Sequence, residues 1–207
     1  LHVSLAGIFT YVLARTFGLC RFGSTIAGLV YMLGGEATAI IGRTNMIAIN
    51  ALMPAAFLVT EKMFRTPRLS YGCLLGLILA SQFLAGHPMT LAYTLYALGL
   101  FALFRFLVEV RHRGARYAAI VIGLFVVAAI LFVLISCVQA LPTTELWENS
   151  IRQARFSAAQ TEVYGRYTLR QFLVDAGKTE PSPIQAVGYV GIAPVLLALL
   201  SLFRKEG

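Results

Sequence analysis

The chain has 207 residues, of which 58% are hydrophobic and 13% charged, and it carries a net charge of +8. So few charged residues suit a chain dissolved in a bilayer, and no tract interleaves basic and aromatic residues as a nucleic-acid groove would. The three cysteines, Cys20, Cys73 and Cys137, have no CxxC metal-ligand spacing, and no disulfide framework is expected because the topology set by the cations places no two of them on the outer, oxidising face.

Seven apolar runs follow one another, at residues 1–14, 24–41, 46–60, 69–86, 89–104, 117–139 and 187–203. At ~1.5 Å rise per residue, most reach across a hydrocarbon core of about 30 Å when tilted. The expected fold is therefore all-α, a polytopic transmembrane bundle of about seven spans. Residues 1–139 supply six of them, residues 140–186 form one long outer loop with short interfacial helices, and residues 187–207 add the last span and its polar end.

The cations orient the spans. Arg15 and Arg21 follow the first run, Lys62, Arg65 and Arg68 the third, Arg105, Arg111, Arg113 and Arg116 the fifth, and Arg204 and Lys205 the seventh. If every run crosses, all of these fall on one face, and the positive-inside rule makes that face cytoplasmic. Residues 35–45, 86–88 and 140–186 then face outward. Residues 46–60 contain Asn50 and Pro54, so a re-entrant loop is the rival to a crossing. A re-entrant third run would send Lys62, Arg65, Arg68 and the Arg111–Arg116 cluster outward, which favours a proline-kinked crossing whose freed carbonyl a neighbouring helix satisfies. Gly72-x-x-x-Gly76 reads as a close helix-packing notch.

The outer loop is electrically balanced. It contains a helix expected at about residues 144–159, after Pro142, with Trp147 at headgroup level. A second helix opens at the capping box Thr168-x-x-Gln171 and ends at Gly177. It reads either as a surface loop or as a partial lid.

Polar residues gather at the outer boundary: Glu36, Arg43, Asn45, Asn50, Gln82, His87, Gln139 and Glu145 come from three separate connections. The inner boundary reads as solvated basic residues only, so a site is expected outside. Glu36 reads as a base or ion ligand within the span, or as a headgroup-level residue beyond Gly34–Gly35. His87 reads as a turn residue or as part of a site.

The stretches Leu5-Ala-Gly-Ile-Phe-Thr-Tyr11, Ala27-Gly-Leu-Val-Tyr31, Asn50-Ala-Leu-Met-Pro54 with Glu61, Gln82-Phe-Leu-Ala-Gly-His-Pro88, Val138-Gln-Ala-Leu-Pro-Thr-Thr-Glu145 with Arg152, and Gly188-Tyr-Val-Gly-Ile-Ala-Pro194 resemble the YfhO family of bacterial membrane proteins, which belong with the GT-C-like glycosyltransferases. The chain departs from the family pattern at Glu36, Arg43 and Met89. The resemblance implies a longer parent in the bacterial cytoplasmic membrane, multi-pass, transferring sugar at the extracytoplasmic face from a polyprenyl-phosphate donor to an envelope glycopolymer. It implies that the catalytic acid lies in an outer loop before Leu1, so the 207-residue chain alone is expected to be inactive. His87, Gln82, Gln139, Glu145, Arg152 and Arg43 are then the expected substrate-binding residues. No cofactor is expected of the chain itself, with a divalent metal left open for the parent. Membrane lipid is the expected partner and nucleic acid is not. A transporter or a flippase of lipid-linked substrates is the alternative.

Overall fold

The computed structural model describes residues 1–34, 37, 40 and 42–148, the last two as backbone. They are helical throughout, with no strand among them. The elements are α1 (His2–Thr16), α2 (Arg21–Leu33), α3 (Thr44–Arg65) and α4 (Leu69–Leu84), then a run over Pro88–Glu148. That run is two helices, because Gly114 breaks it with φ 78° and ψ −178°. A positive φ of this size is open to glycine and strained for other residues. We call residues 88–113 α5 and residues 115–148 α6. The expected seventh span at 187–203 and most of the 140–186 loop lie outside the described residues.

α5 and α6 fold back on each other as a hairpin. Ala102, Phe106 and Val110 on α5 pack with Tyr117, Val121 and Phe125 on α6, around Phe64 of α3. The far ends of the hairpin meet as well: Gln139 Nε2 lies 3.7 Å from where a Cβ on Gly86 would be. The chain therefore reverses at each connection along this half of the bundle, and α4 and α6 run parallel. Their contact is built on two glycines. A Cβ on Gly72 would stand 2.9 Å from the Leu124 carbonyl oxygen, and one on Gly76 only 2.7 Å from that of Ala128. The notch expected from Gly72-x-x-x-Gly76 is thus the place where α6 lies backbone to backbone on α4. α1 and α2 approach in the same way, with Gly28 facing the Gly7 carbonyl.

The core is a seam along α3, α4, α5 and α6, made of Ala55, Ala56, Val59, Met63, Leu75, Leu79, Leu91, Leu98, Leu124 and Ala128. The outward faces are apolar too. α5 exposes Tyr96, Leu100 and Phe104, and α6 exposes Ile130, Leu134 and Val138, the last at 78%. Spaced three or four residues apart, they form continuous stripes on the outside of the bundle, where a water-soluble helix would be polar. Two helical runs, Thr44–Arg65 and Pro88–Leu146, are long and apolar enough to cross a membrane, while the apolar Leu69–Leu84 is shorter.

α3 is one helix of 22 residues with Pro54 inside it. It does not turn back, as the re-entrant alternative requires. Pro54 has no N–H for the Asn50 carbonyl. The Tyr31 hydroxyl on α2 donates to that oxygen at 2.9 Å, so a neighbouring helix satisfies the freed group, as expected.

Two helix extents differ from the apolar runs. α5 continues nine residues past residue 104, through the charged stretch to Arg113. α6 does not stop at Gln139 but runs through Pro142 to Glu148, so the first outer helix expected after Pro142 begins as a continuation of α6. Just past the proline, the Thr143 hydroxyl donates to the Gln139 carbonyl at 2.7 Å.

Candidate functional site

Two polar groupings occupy opposite ends of the bundle. At the end of α4, Gln82 points inward and is fully buried. Its amide nitrogen donates to the Ile49 carbonyl on α3 at 2.9 Å, and its Oε1 is buried without a hydrogen-bond partner. It is a cross-link between α3 and α4, one residue from the carbonyl that Tyr31 holds. His87 is half-buried and caps α5: the Thr90 N–H donates to its Nδ1 at 3.3 Å, and the Thr90 hydroxyl lies 2.7 Å from the same nitrogen. Accepting from a backbone N–H fixes the neutral ring's proton on Nε2, the nitrogen left for a ligand. Gln139 stands beside the Gly86 turn that precedes His87.

Gln82, His87 and Gln139 therefore share one end of the α4–α6 pair. Arg43 lies at the start of α3, exposed, with Nη1 3.8 Å from Met46 Sδ. Glu145 is exposed, two turns beyond Gln139 on α6. Arg152 and Glu36 lie outside the described residues. Between α1, α2 and α3, near this same end, is an apolar cavity of about 330 Å³ lined by Val3, Ala6, Val30, Ile47 and Ala51, with Tyr31 and Asn50 on its wall.

The opposite end corrects the expectation of solvated basic residues alone. Glu61 on α3 is only 1% exposed and holds two arginines. Arg65 Nε donates to its Oε1 at 2.7 Å and Arg105 Nη2 to the same oxygen at 3.1 Å. Its Oε2 lies 2.9 Å from Arg105 Nε as an ion pair, without the alignment of a hydrogen bond. Arg105 continues to Glu109 at 3.1 Å, and Glu109 to Arg113 at 2.8 Å. Arg113 Nη1 reaches the Arg65 carbonyl at 3.4 Å, and its guanidinium stacks 5.0 Å from the Tyr117 ring centroid. The Tyr117 hydroxyl donates to the Phe64 carbonyl at 2.6 Å.

Five ionised side chains thus tie α3, α5 and the start of α6 together. A carboxylate so buried is stable only because its charge is matched at hydrogen-bond distance. Two signals in the sequence pointed here: the i,i+4 pair Glu61–Arg65 and the i,i+4 ladder Arg105–Glu109–Arg113. Neither reveals that Glu61 faces the bundle interior, which depends on how α3 sits against α5.

Among the described residues no group of three His, Cys, Asp or Glu could hold a metal ion. All three cysteines are free thiols.

No family model, curated protein or solved structure matches this chain.

The chemistry must therefore be read from the two ends themselves. The His87 end offers neutral hydrogen-bonding groups beside an apolar cavity, which suits a ligand with a polar head and a greasy tail. The Arg-rich end offers fixed guanidinium groups, which suit anions.

Proposed function

We propose that the chain is part of a multi-pass bacterial inner-membrane glycosyltransferase of the GT-C-like class, acting at the extracytoplasmic face on polyprenyl-phosphate-linked sugars. The membrane part of this reading draws support from the apolar stripes on the outward faces of α5 and α6 and from the gathering of cations at one end. The site is proposed at the other end. The observation that carries it is the approach of Gln139 to the Gly86–His87 turn, which joins two stretches of the YfhO-like pattern that residues 89–137 separate in the chain. His87 Nε2 and the Gln139 amide would bind sugar hydroxyls, and Arg43 or Arg152 the phosphate. The apolar cavity between α1, α2 and α3 would take a short stretch of the isoprenoid tail.

The rival reading is a transporter or flippase, which would use unwound backbone at the break in α3 as its binding site. α3 stays helical through Pro54, and the Asn50 carbonyl that the proline frees accepts from Tyr31, which lends that rival less support.

The test is sugar transfer from a polyprenyl-phosphate donor by the full-length parent in reconstituted membranes. His87→Ala, Gln139→Ala and Arg152→Ala should each lower transfer while leaving the amount of membrane protein unchanged. Full transfer by all three variants would remove the site.

A further inference from the structure

The ion network leaves donors over. Glu61 and Glu109 each lock a guanidinium through its Nε, those of Arg65 and Arg113. Arg65 stays 49% and Arg113 42% exposed. Neither Nη nitrogen of Arg65 donates a hydrogen bond among the described residues, and Arg113 uses only Nη1, on the Arg65 carbonyl. That contact also makes the two arginines neighbours. Two half-exposed guanidinium groups, each oriented by a carboxylate that is 1% or 16% exposed, thus belong to residues in direct contact and keep N–H groups that donate to nothing among the described residues. Side chains held this way have already lost the rotamer freedom that usually weakens surface arginine contacts.

The surroundings define the ligand. Among the described residues, Glu61 and Glu109 face three arginines here, which leaves one positive charge over. The exposed Arg68, Arg111 and Arg116 add to it. Exposed hydrocarbon lies further along the same helices, at Leu103 and Leu107 on α5, Ile120 and Ile122 on α6, and Leu69 at the start of α4. A ligand here must offer an oxyanion to two forks and an acyl chain to an apolar wall.

We propose that Arg65 and Arg113 form a binding site for the phosphate of an anionic phospholipid, with its acyl chains along the exposed faces of α4, α5 and α6. The proposal rests on the membrane reading above and not on the transferase reading. It differs from the general attraction of cations to an anionic leaflet, because it assigns the binding to two pre-oriented arginines rather than to the sum of the charge.

The experiment uses the full chain in phosphatidylcholine nanodiscs, with phosphatidylglycerol titrated in and thermal unfolding as the readout. Phosphatidylglycerol should raise the Tm saturably. Arg113→Gln, with its helix content unchanged by circular dichroism, should need about tenfold more of the lipid for the same shift, the size of one lost charge-assisted contact. The double variant Arg111→Gln with Arg116→Gln removes more charge but should keep most of the response. Should Arg113→Gln fail to fold, Arg65→Gln takes its place with the same expectation, since it leaves Arg113 on Glu109. Equal Tm in the two lipids would overturn the proposal. So would a loss in the Arg111/Arg116 variant as large as in Arg113→Gln, which marks a diffuse field. A full response to inorganic phosphate in uncharged nanodiscs would assign the site to a soluble anion and overturn it equally.

Discussion

The hydroxyl of Tyr31 donates to the Asn50 carbonyl at 2.9 Å, and this is the oxygen that Pro54, four residues on, leaves without its helical donor. One residue earlier, the Ile49 carbonyl receives Gln82 of α4. α3 is thus held beside its proline by side chains of α2 and of α4. Tyr31→Phe should therefore destabilise the protein by about 1–2 kcal/mol, the usual effect of a lost partner on a buried polar group. In a Pro54→Ala background the helix supplies its own N–H, and the same substitution should have much less effect. Thermal unfolding of the four proteins in one detergent gives the coupling; equal losses in both backgrounds would dissociate Tyr31 from the proline.

Removing the Glu61 carboxylate should be among the most damaging single changes. Glu61→Ala leaves Arg105, 20% exposed, with Glu109 as its one remaining carboxylate, and breaking a buried pair costs up to about 3–5 kcal/mol. The paired replacement Glu61→Met with Arg105→Met removes both charges together and should recover much of the loss. Unfolding measurements that find the double variant worse than either single one would contradict the reading.

The glycines divide sharply. A Cβ at Gly76 would meet the Ala128 oxygen at 2.7 Å and the Leu131 Cβ at 2.9 Å, whereas one at Gly123 meets nothing within 4 Å. Gly76→Ala should push α4 from α6 and cost about 1–3 kcal/mol. Gly123→Ala, on the same helix pair, should be neutral or stabilise by up to about 1 kcal/mol through the helix propensity of alanine. Comparing the two Tm values checks whether contact with the neighbouring backbone, rather than glycine itself, is what matters.

Orientation can be read directly. In a cysteine-free background, His112→Cys at the α5–α6 turn should be protected from an impermeant thiol reagent in intact cells. Thr144→Cys near the other end of α6 should react. Reversed labelling would invert the proposed membrane orientation and move the His87 end inside.

Much of the helix pattern was legible because long apolar runs need only composition to be seen. The extents were not, because hydropathy measures where a helix is greasy and not where it ends. Arg105, Glu109 and Arg113 end the apolar run, yet their i,i+4 pairing carries α5 nine residues further. The candidate site was partly legible. Gln82, His87 and Gln139 were expected at one depth, and the structure brings the Gly86–His87 turn and Gln139 together. But Gln82 is turned into the bundle and bonded to Ile49, a choice set by the rotation of α4 about its axis. The Glu61 network was missed because its burial arises from the packing of α3 against α5, 44 residues apart in sequence.

The joint at Gly114 has a consequence for how the chain is assembled. A single residue separates two long helices, and their packing partners lie at matched four-residue steps on either side of it. Contacts so close in sequence form with little loop-closure penalty. Nor can one arm enter a bilayer without drawing the other behind it across so short a tether. Residues 88–148 should thus be delivered as one preassembled unit, onto which α3 docks Phe64 and Glu61 only afterwards.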